Sequence, residues 1–215
     1  MSAPPSYIYV NQKQYNMKHL KTLVIHPDDR STDFLSAIYA DLPNKTVVTG
    51  SSTPSEVRRM IQTHERVMMM GHGTPGGLMA MSQFPADDPT PIYSVVKDRY
   101  YEPKPAYIID SETVDVLREK DNSVFIWCNA DQFVNRFQLK GFYTGMFISE
   151  YGEASYCGVK AINGEVEFNN SLFARLMSDV AHENPATQYA YIKENFHIPR
   201  SKVIEYNWNR MYLNS

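Results

Sequence analysis

The chain has 215 residues, 43% apolar and 21% charged, which suits a single globular domain with a sizeable core. A net charge of -3 and a pI near 6.1 leave no basic excess, which argues against a dedicated nucleic-acid binder. No window approaches the roughly 20 apolar residues that a membrane span needs, and Met1 to Lys21 is polar, Tyr-rich and Pro-containing rather than signal-like.

The two cysteines, Cys128 and Cys157, each fall in or beside an apolar, strand-like run. They read as free thiols of a reducing compartment, so a cytoplasmic location is expected. The domain is expected to span residues 1–215. It would carry an N-terminal extension (1–20), a long excursion (74–105) and a C-terminal appendage (181–215).

In chain order, a short strand is read at Tyr7-Ile8-Tyr9-Val10, then one at Thr22-Leu23-Val24-Ile25 that ends in the turn His26-Pro27-Asp28-Asp29. Ser31-Thr32-Asp33 reads as the cap of a helix carrying Phe34, Leu35, Ile38 and Leu42. Thr46 to Thr49 is the next strand. Thr53-Pro54-Ser55-Glu56 then opens a helix buried through Val57, Met60 and Ile61. Val67-Met68-Met69-Met70 is a continuous apolar run, the pattern of a strand buried on both faces, and it leads into Gly71-His72-Gly73.

Gly73 to Gly77 reads as a loop, and Met81 to Lys104 as an excursion that includes a small hairpin. An extended run at Ala106 to Ile109 precedes a helix from Glu112 to Lys120. A second buried strand, Val124-Phe125-Ile126-Trp127, ends at Cys128. Beyond it the pattern predicts a helix over Phe133 to Ile148 and a strand over Ala154 to Val159, with a turn at Asn163-Gly164. Helices follow at Ser171 to Val180 and Tyr189 to Phe196, and Val203 to Tyr206 is read as a last strand or the start of a terminal helix. Strands alternating with helices predict an α/β fold with a mostly parallel sheet of about five or six strands, covered on both faces as a three-layer sandwich.

In such sheets ligands bind at the carboxyl ends of the strands. Two buried strands delivering His72 and Cys128 to one edge make a nucleophile and its base: a cysteine hydrolase needs a thiol, an imidazole and backbone donors for an oxyanion. The N–H groups of Gly73 and Cys128 are the candidate oxyanion donors. No cofactor and no metal is called for. His26-Pro27-Asp28-Asp29 offers metal-ligand chemistry, but a turn beside a capped helix explains it equally well.

An apolar strand ending in His72-Gly73, followed after an interval of 56 positions by another ending in Cys128, resembles the caspase-like cysteine peptidases. That group includes caspases, metacaspases, gingipains, clostripain, separase and the bacterial CHAT proteins, and the likeness spans Thr22 to Val180. It implies a cysteine endopeptidase with a His72–Cys128 dyad and a protein or peptide substrate, and leaves room for a regulatory partner or a homo-oligomer. The chain departs from the caspase signature Gln-Ala-Cys-x-Gly, having Ile126-Trp127-Cys128-Asn129-Ala130. The resemblance places Asp28, Asp29 and Arg30 near the substrate, where Arg30 favours an acidic P1 residue and the aspartates a basic one.

Two further readings stand beside it. One is a non-catalytic, caspase-like or flavodoxin-like domain that binds a peptide or small ligand. The other takes Gly71-x-Gly73-x-x-Gly76 as a dinucleotide loop, weakened by Pro75 and by the lack of a helix after Gly77. Glu150 and Glu153 read as parts of a solvated loop.

Overall fold

The structure, a computed structural model, describes residues 19–49, 52–80 and 107–215. Strand β1 (Thr22–Ile25) is wholly buried, as its unbroken β-branched and apolar run requires. A 3-10 turn (Asp33–Leu35) and a short α1 (Ser36–Tyr39) lead to β2 (Lys45–Val48). The Thr53 signal works as read. Thr53 Oγ1 accepts from the Glu56 N–H and Glu56 Oε2 accepts from the Thr53 N–H, opening α2 (Pro54–Thr63). Strand β3 (Arg66–Met70) has five buried residues in five.

After a small antiparallel sheet of β4 (Gly73–Thr74), β5 (Gly77–Met79) and β6 (Tyr107–Ile109) come a 3-10 turn (Ser111–Thr113), α3 (Val114–Leu117) and β7 (Ser123–Ile126). The chain continues through α4 (Ala130–Phe137), β8 (Gly141–Thr144), α5 (Tyr151–Tyr156) and α6 (Glu165–Asp179). It ends with α7 (Pro185–Asn195), α8 (Lys202–Trp208) and β9 (Met211–Asn214).

The main sheet has the order β2-β1-β3-β7-β8-β9, parallel except for β9. Alternation along β3 divides the core between its two faces: Val67 and Met69 pack with α2, α3 and α4, whereas Met68 and Met70 pack with α1, α6 and α7. The fold is α/β, with helices on both faces of a six-stranded, mostly parallel sheet.

Several local expectations differ from what is found. The glycine-rich stretch after His72 forms the β4–β5 hairpin rather than an open loop. The stretch read as one helix from Phe133 to Ile148 is α4 followed by β8, and Gly141, at φ +138, begins the strand where any Cβ would meet the Ser123 carbonyl. Ala154 to Val159 is helical in its first part, so Cys157 caps α5 and lies in no strand. Residues 181–215 are no appendage to the core: Ile192, Phe196, Ile204 and Met211 pack into it, and β9 completes the sheet. The strand at Tyr7 to Val10 and the excursion from Met81 to Lys104 lie outside the described residues.

Candidate functional site at the carboxyl edge of the sheet

The order β2-β1-β3-β7-β8 reverses direction at β1: the chain steps to one side for β2 and to the other for β3. A crevice outside the carboxyl ends of β1 and β3 follows from that reversal, and doubly wound sheets bind ligands there. Both strands deliver polar residues to it. After β1, Asp29 and Ser31 form a tight turn in which Asp29 Oδ1 accepts from the Ser31 N–H (2.9 Å) and from Oγ (2.6 Å). After β3, His72 reaches into the same crevice with Nε2 2.6 Å from Ser31 Oγ and 3.7 Å from Asp29 Oδ2.

The proton inventory assigns this network. An ionised carboxylate only accepts, so the single Ser31 hydroxyl proton goes to Asp29 and its oxygen accepts from His72 Nε2–H. That leaves His72 Nδ1 unprotonated in the neutral imidazole, the atom that can take a proton. Asp29 and His72 are nearly closed to solvent, with side chains 3% and 11% exposed, so water competes little for these bonds.

His26, at the end of β1, is a structural neighbour of this site. Thr32 Oγ1 donates to the Asp29 carbonyl and receives from His26 Nε2, while the Tyr39 hydroxyl reaches Nδ1 at 2.9 Å. Burial lowers its pKa below the ordinary value, more than the nearby aspartates raise it. The ring is therefore neutral, and it pins the turn that carries Asp29 and Ser31.

Cys128 follows β7, the next strand across from β3, in a sharp turn completed by Asn129 at φ +67. Three bonds fix that turn. The Gly71 N–H donates to the Ile126 carbonyl, Thr144 Oγ1 donates to the Trp127 carbonyl, and Trp127 Nε1 donates to the Thr74 carbonyl. Trp127 itself is buried beneath Gly73, so closely that a Cβ on that glycine would overlap the indole ring. Since Met79 N–H bonds the His72 carbonyl, Gly73 and Leu78 form the next, non-hydrogen-bonded pair, and the Gly73 N–H points out of the hairpin.

The Cys128 thiol donates to the Phe147 carbonyl (3.4 Å) and to Glu153 Oε1 (3.5 Å). No hydrogen bond joins it to His72 among the described residues, although both line one small cleft with Phe34, Leu35, Ile126 and Phe147. Burial first, and then the Glu153 carboxylate, push the thiol pKa well above its ordinary range. Glu153 is held by its other oxygen, which accepts from Ser149 N–H (2.7 Å), Ser149 Oγ (3.0 Å) and Glu150 N–H (3.1 Å). The loop presenting Phe147 and Ser149 is clamped by buried amides: Asn207 brackets the N–H and carbonyl of Ile148, and Asn170 Nδ2 holds the Ser149 carbonyl.

Of the residues singled out from sequence, His72, Gly73, Cys128 and Asp29 gather at this edge. Asp28 and Arg30 are exposed and do not line the cleft. Asp29 is bound up with Ser31 and His72, a place from which it holds the imidazole. Ser31, read as a helix cap, makes no cap bond and instead joins Asp29 to His72. Glu153, read as solvated, contacts the thiol. No group of three or more His, Cys, Asp or Glu side chains able to hold a metal ion occurs among the described residues. Nor is any described helix long and apolar enough to cross a membrane.

Fold and site together define an α/β protein with an imidazole and a thiol at the carboxyl edge of a doubly wound sheet. In comparisons with known proteins, no family model, no curated protein and no solved structure matched the chain.

Proposed function

We propose that this chain is a cysteine peptidase of caspase-like design, in which Cys128 attacks a peptide carbonyl and His72 carries its proton. The observation that supports this best is the delivery of both side chains to one cleft by adjacent parallel strands, with His72 Nε2 engaged by Ser31 and Asp29. An oriented base beside a nucleophile is the arrangement that acyl transfer requires.

In the proposed reaction the thiol proton passes to His72 Nδ1 and sulfur forms a bond to the scissile carbonyl carbon. The N–H groups of Gly73 and Cys128 hold the resulting oxyanion. Collapse breaks the C–N bond, His72 returns the proton to the leaving amine, and a thioester remains. Water, deprotonated by His72, then hydrolyses the thioester and frees Cys128. The Ser31–Asp29 pair stabilises the imidazolium formed on the way, as an orienting carboxylate does in related triads. Before any of this, the thiol has to leave the Phe147 carbonyl and Glu153.

That last contact is also what favours the second reading, a non-catalytic domain binding a peptide or small ligand in the crevice. A thiol held protonated between two acceptors is inert. Incubation with a diverse peptide mixture, read by mass spectrometry, separates the two. Cleavage lost in Cys128→Ala and in His72→Ala supports the peptidase. Cleavage retained in Cys128→Ala contradicts it.

A further inference from the structure

We infer that the residue delivered to Cys128 carries a small, uncharged side chain, of glycine or alanine size, and not the acidic or basic side chain that Asp28, Asp29 and Arg30 would select. This inference rests on the peptidase reading above. The cleft beside the thiol holds about 20 Å³ of free volume. The cleft is partly open to solvent, and its enclosed part has room for one water or one methyl group.

Among the described residues that line the cleft, none is an Asp, Glu, Lys or Arg. Phe34, Leu35, Ile126 and Phe147 are apolar, and the hydroxyls of Thr32 and Ser149 are already committed to Asp29 and Glu153. A carboxylate or guanidinium entering here would give up part of its water and find no unengaged counter-charge. The nearest described carboxylates are both engaged: Asp29 is buried and bonded to Ser31 and His72, and Glu153 is bonded to the thiol, Ser149 and Glu150.

Size is limited as well as charge. Phe147 is fixed against Phe173 at a centroid distance of 4.8 Å and belongs to the core, so it does not retreat to admit a long chain. Phe34, which also lines the cleft, is half-buried and packs at the margin of the core. It is the residue whose trimming enlarges the cleft at least cost to the fold.

The test uses peptidyl acyloxymethyl ketones with Gly, Ala, Leu, Arg or Asp at P1, and follows the rate of adduct formation at Cys128 by intact mass. Gly and Ala reagents are expected to react at least about 100-fold faster than Arg or Asp, and roughly 10-fold faster than Leu. Phe34→Ala, with Phe34→Leu as the milder variant, is expected to move the Leu-to-Ala ratio toward Leu by about tenfold. Fastest labelling by Arg or Asp would overturn the inference while leaving the peptidase reading intact, as would a ratio indifferent to both Phe34 variants. Absence of any Cys128 adduct would overturn the peptidase reading, and this inference with it.

Discussion

Glu153 Oε1 lies 3.5 Å from Cys128 Sγ and accepts its proton. The carboxylate nearest the candidate nucleophile therefore opposes the thiolate, and it does so from a position fixed by three hydrogen bonds to its other oxygen. Cys128 should consequently alkylate slowly with iodoacetamide at pH 8. Glu153→Gln keeps an oxygen for those three donors and turns an N–H toward the sulfur. It is expected to lower the thiol pKa and to speed alkylation roughly tenfold. An unchanged rate would show that Glu153 does not hold the thiol.

The link from Asp29 through Ser31 to His72 makes a separate prediction. Ser31→Ala removes the atom that accepts from His72 Nε2 and frees the ring to rotate or change tautomer. The account expects kcat to fall about 10- to 100-fold with KM little changed, and the acid limb of the pH–rate profile to move. Ser31→Thr retains a hydroxyl and should recover part of the loss. Equal damage from both would point to a folding role for this turn.

Much of this design was legible in the chain, and the exceptions have physical causes. The Val67–Met70 and Val124–Trp127 runs declared themselves because strands buried on both faces read as near-continuous apolar runs. Strand β8 was hidden because Gly141, which a helical reading treats as an interruption, is demanded by close passage over the Ser123 carbonyl. Strand β9 was hidden because half-buried edge strands carry a mixed pattern. At the site, His72 and Cys128 stood out by position. Ser31 and Glu153 did not, since their roles come from partners 41 and 25 residues away, and the Asn207 clamp joins residues 59 apart.

Acid should weaken the fold above the range in which carboxylates titrate. His26 is buried neutral, with its pKa lowered from 6.5, mainly by desolvation; His64 is lowered in the same way. The unfolded chain thus binds protons first as pH falls below 6.5, so stability is full above that value and declines below it. Tm measured from pH 7.5 to 5 should be flat and then fall, and His26→Gln should flatten part of that fall. A wild-type Tm constant across the range would contradict the assignment.

Arg66 begins β3 with no exposed surface, and none of its three guanidinium nitrogens has a hydrogen-bond partner among the described residues. Burial lowers its pKa to about 10, opposed weakly by Glu183, so it keeps its charge at neutral pH. A buried, unpaired charge costs several kcal/mol, and an apolar replacement of similar length recovers some of it. Arg66→Met is expected to raise stability by about 1–4 kcal/mol in urea titrations. A loss of stability would show that the guanidinium is doing structural work at the amino edge of the sheet.

The central claim is that Cys128 and His72 act as one catalytic pair, and the most direct measurement is intact-mass labelling by an alanyl acyloxymethyl ketone. Wild-type protein should take up a single adduct, located at Cys128 by peptide mapping, with Cys157 unmodified. The adduct should be lost in His72→Ala, while both proteins keep the same circular dichroism. Labelling that is absent in the wild type, equal at both cysteines, or undiminished in His72→Ala would contradict the account.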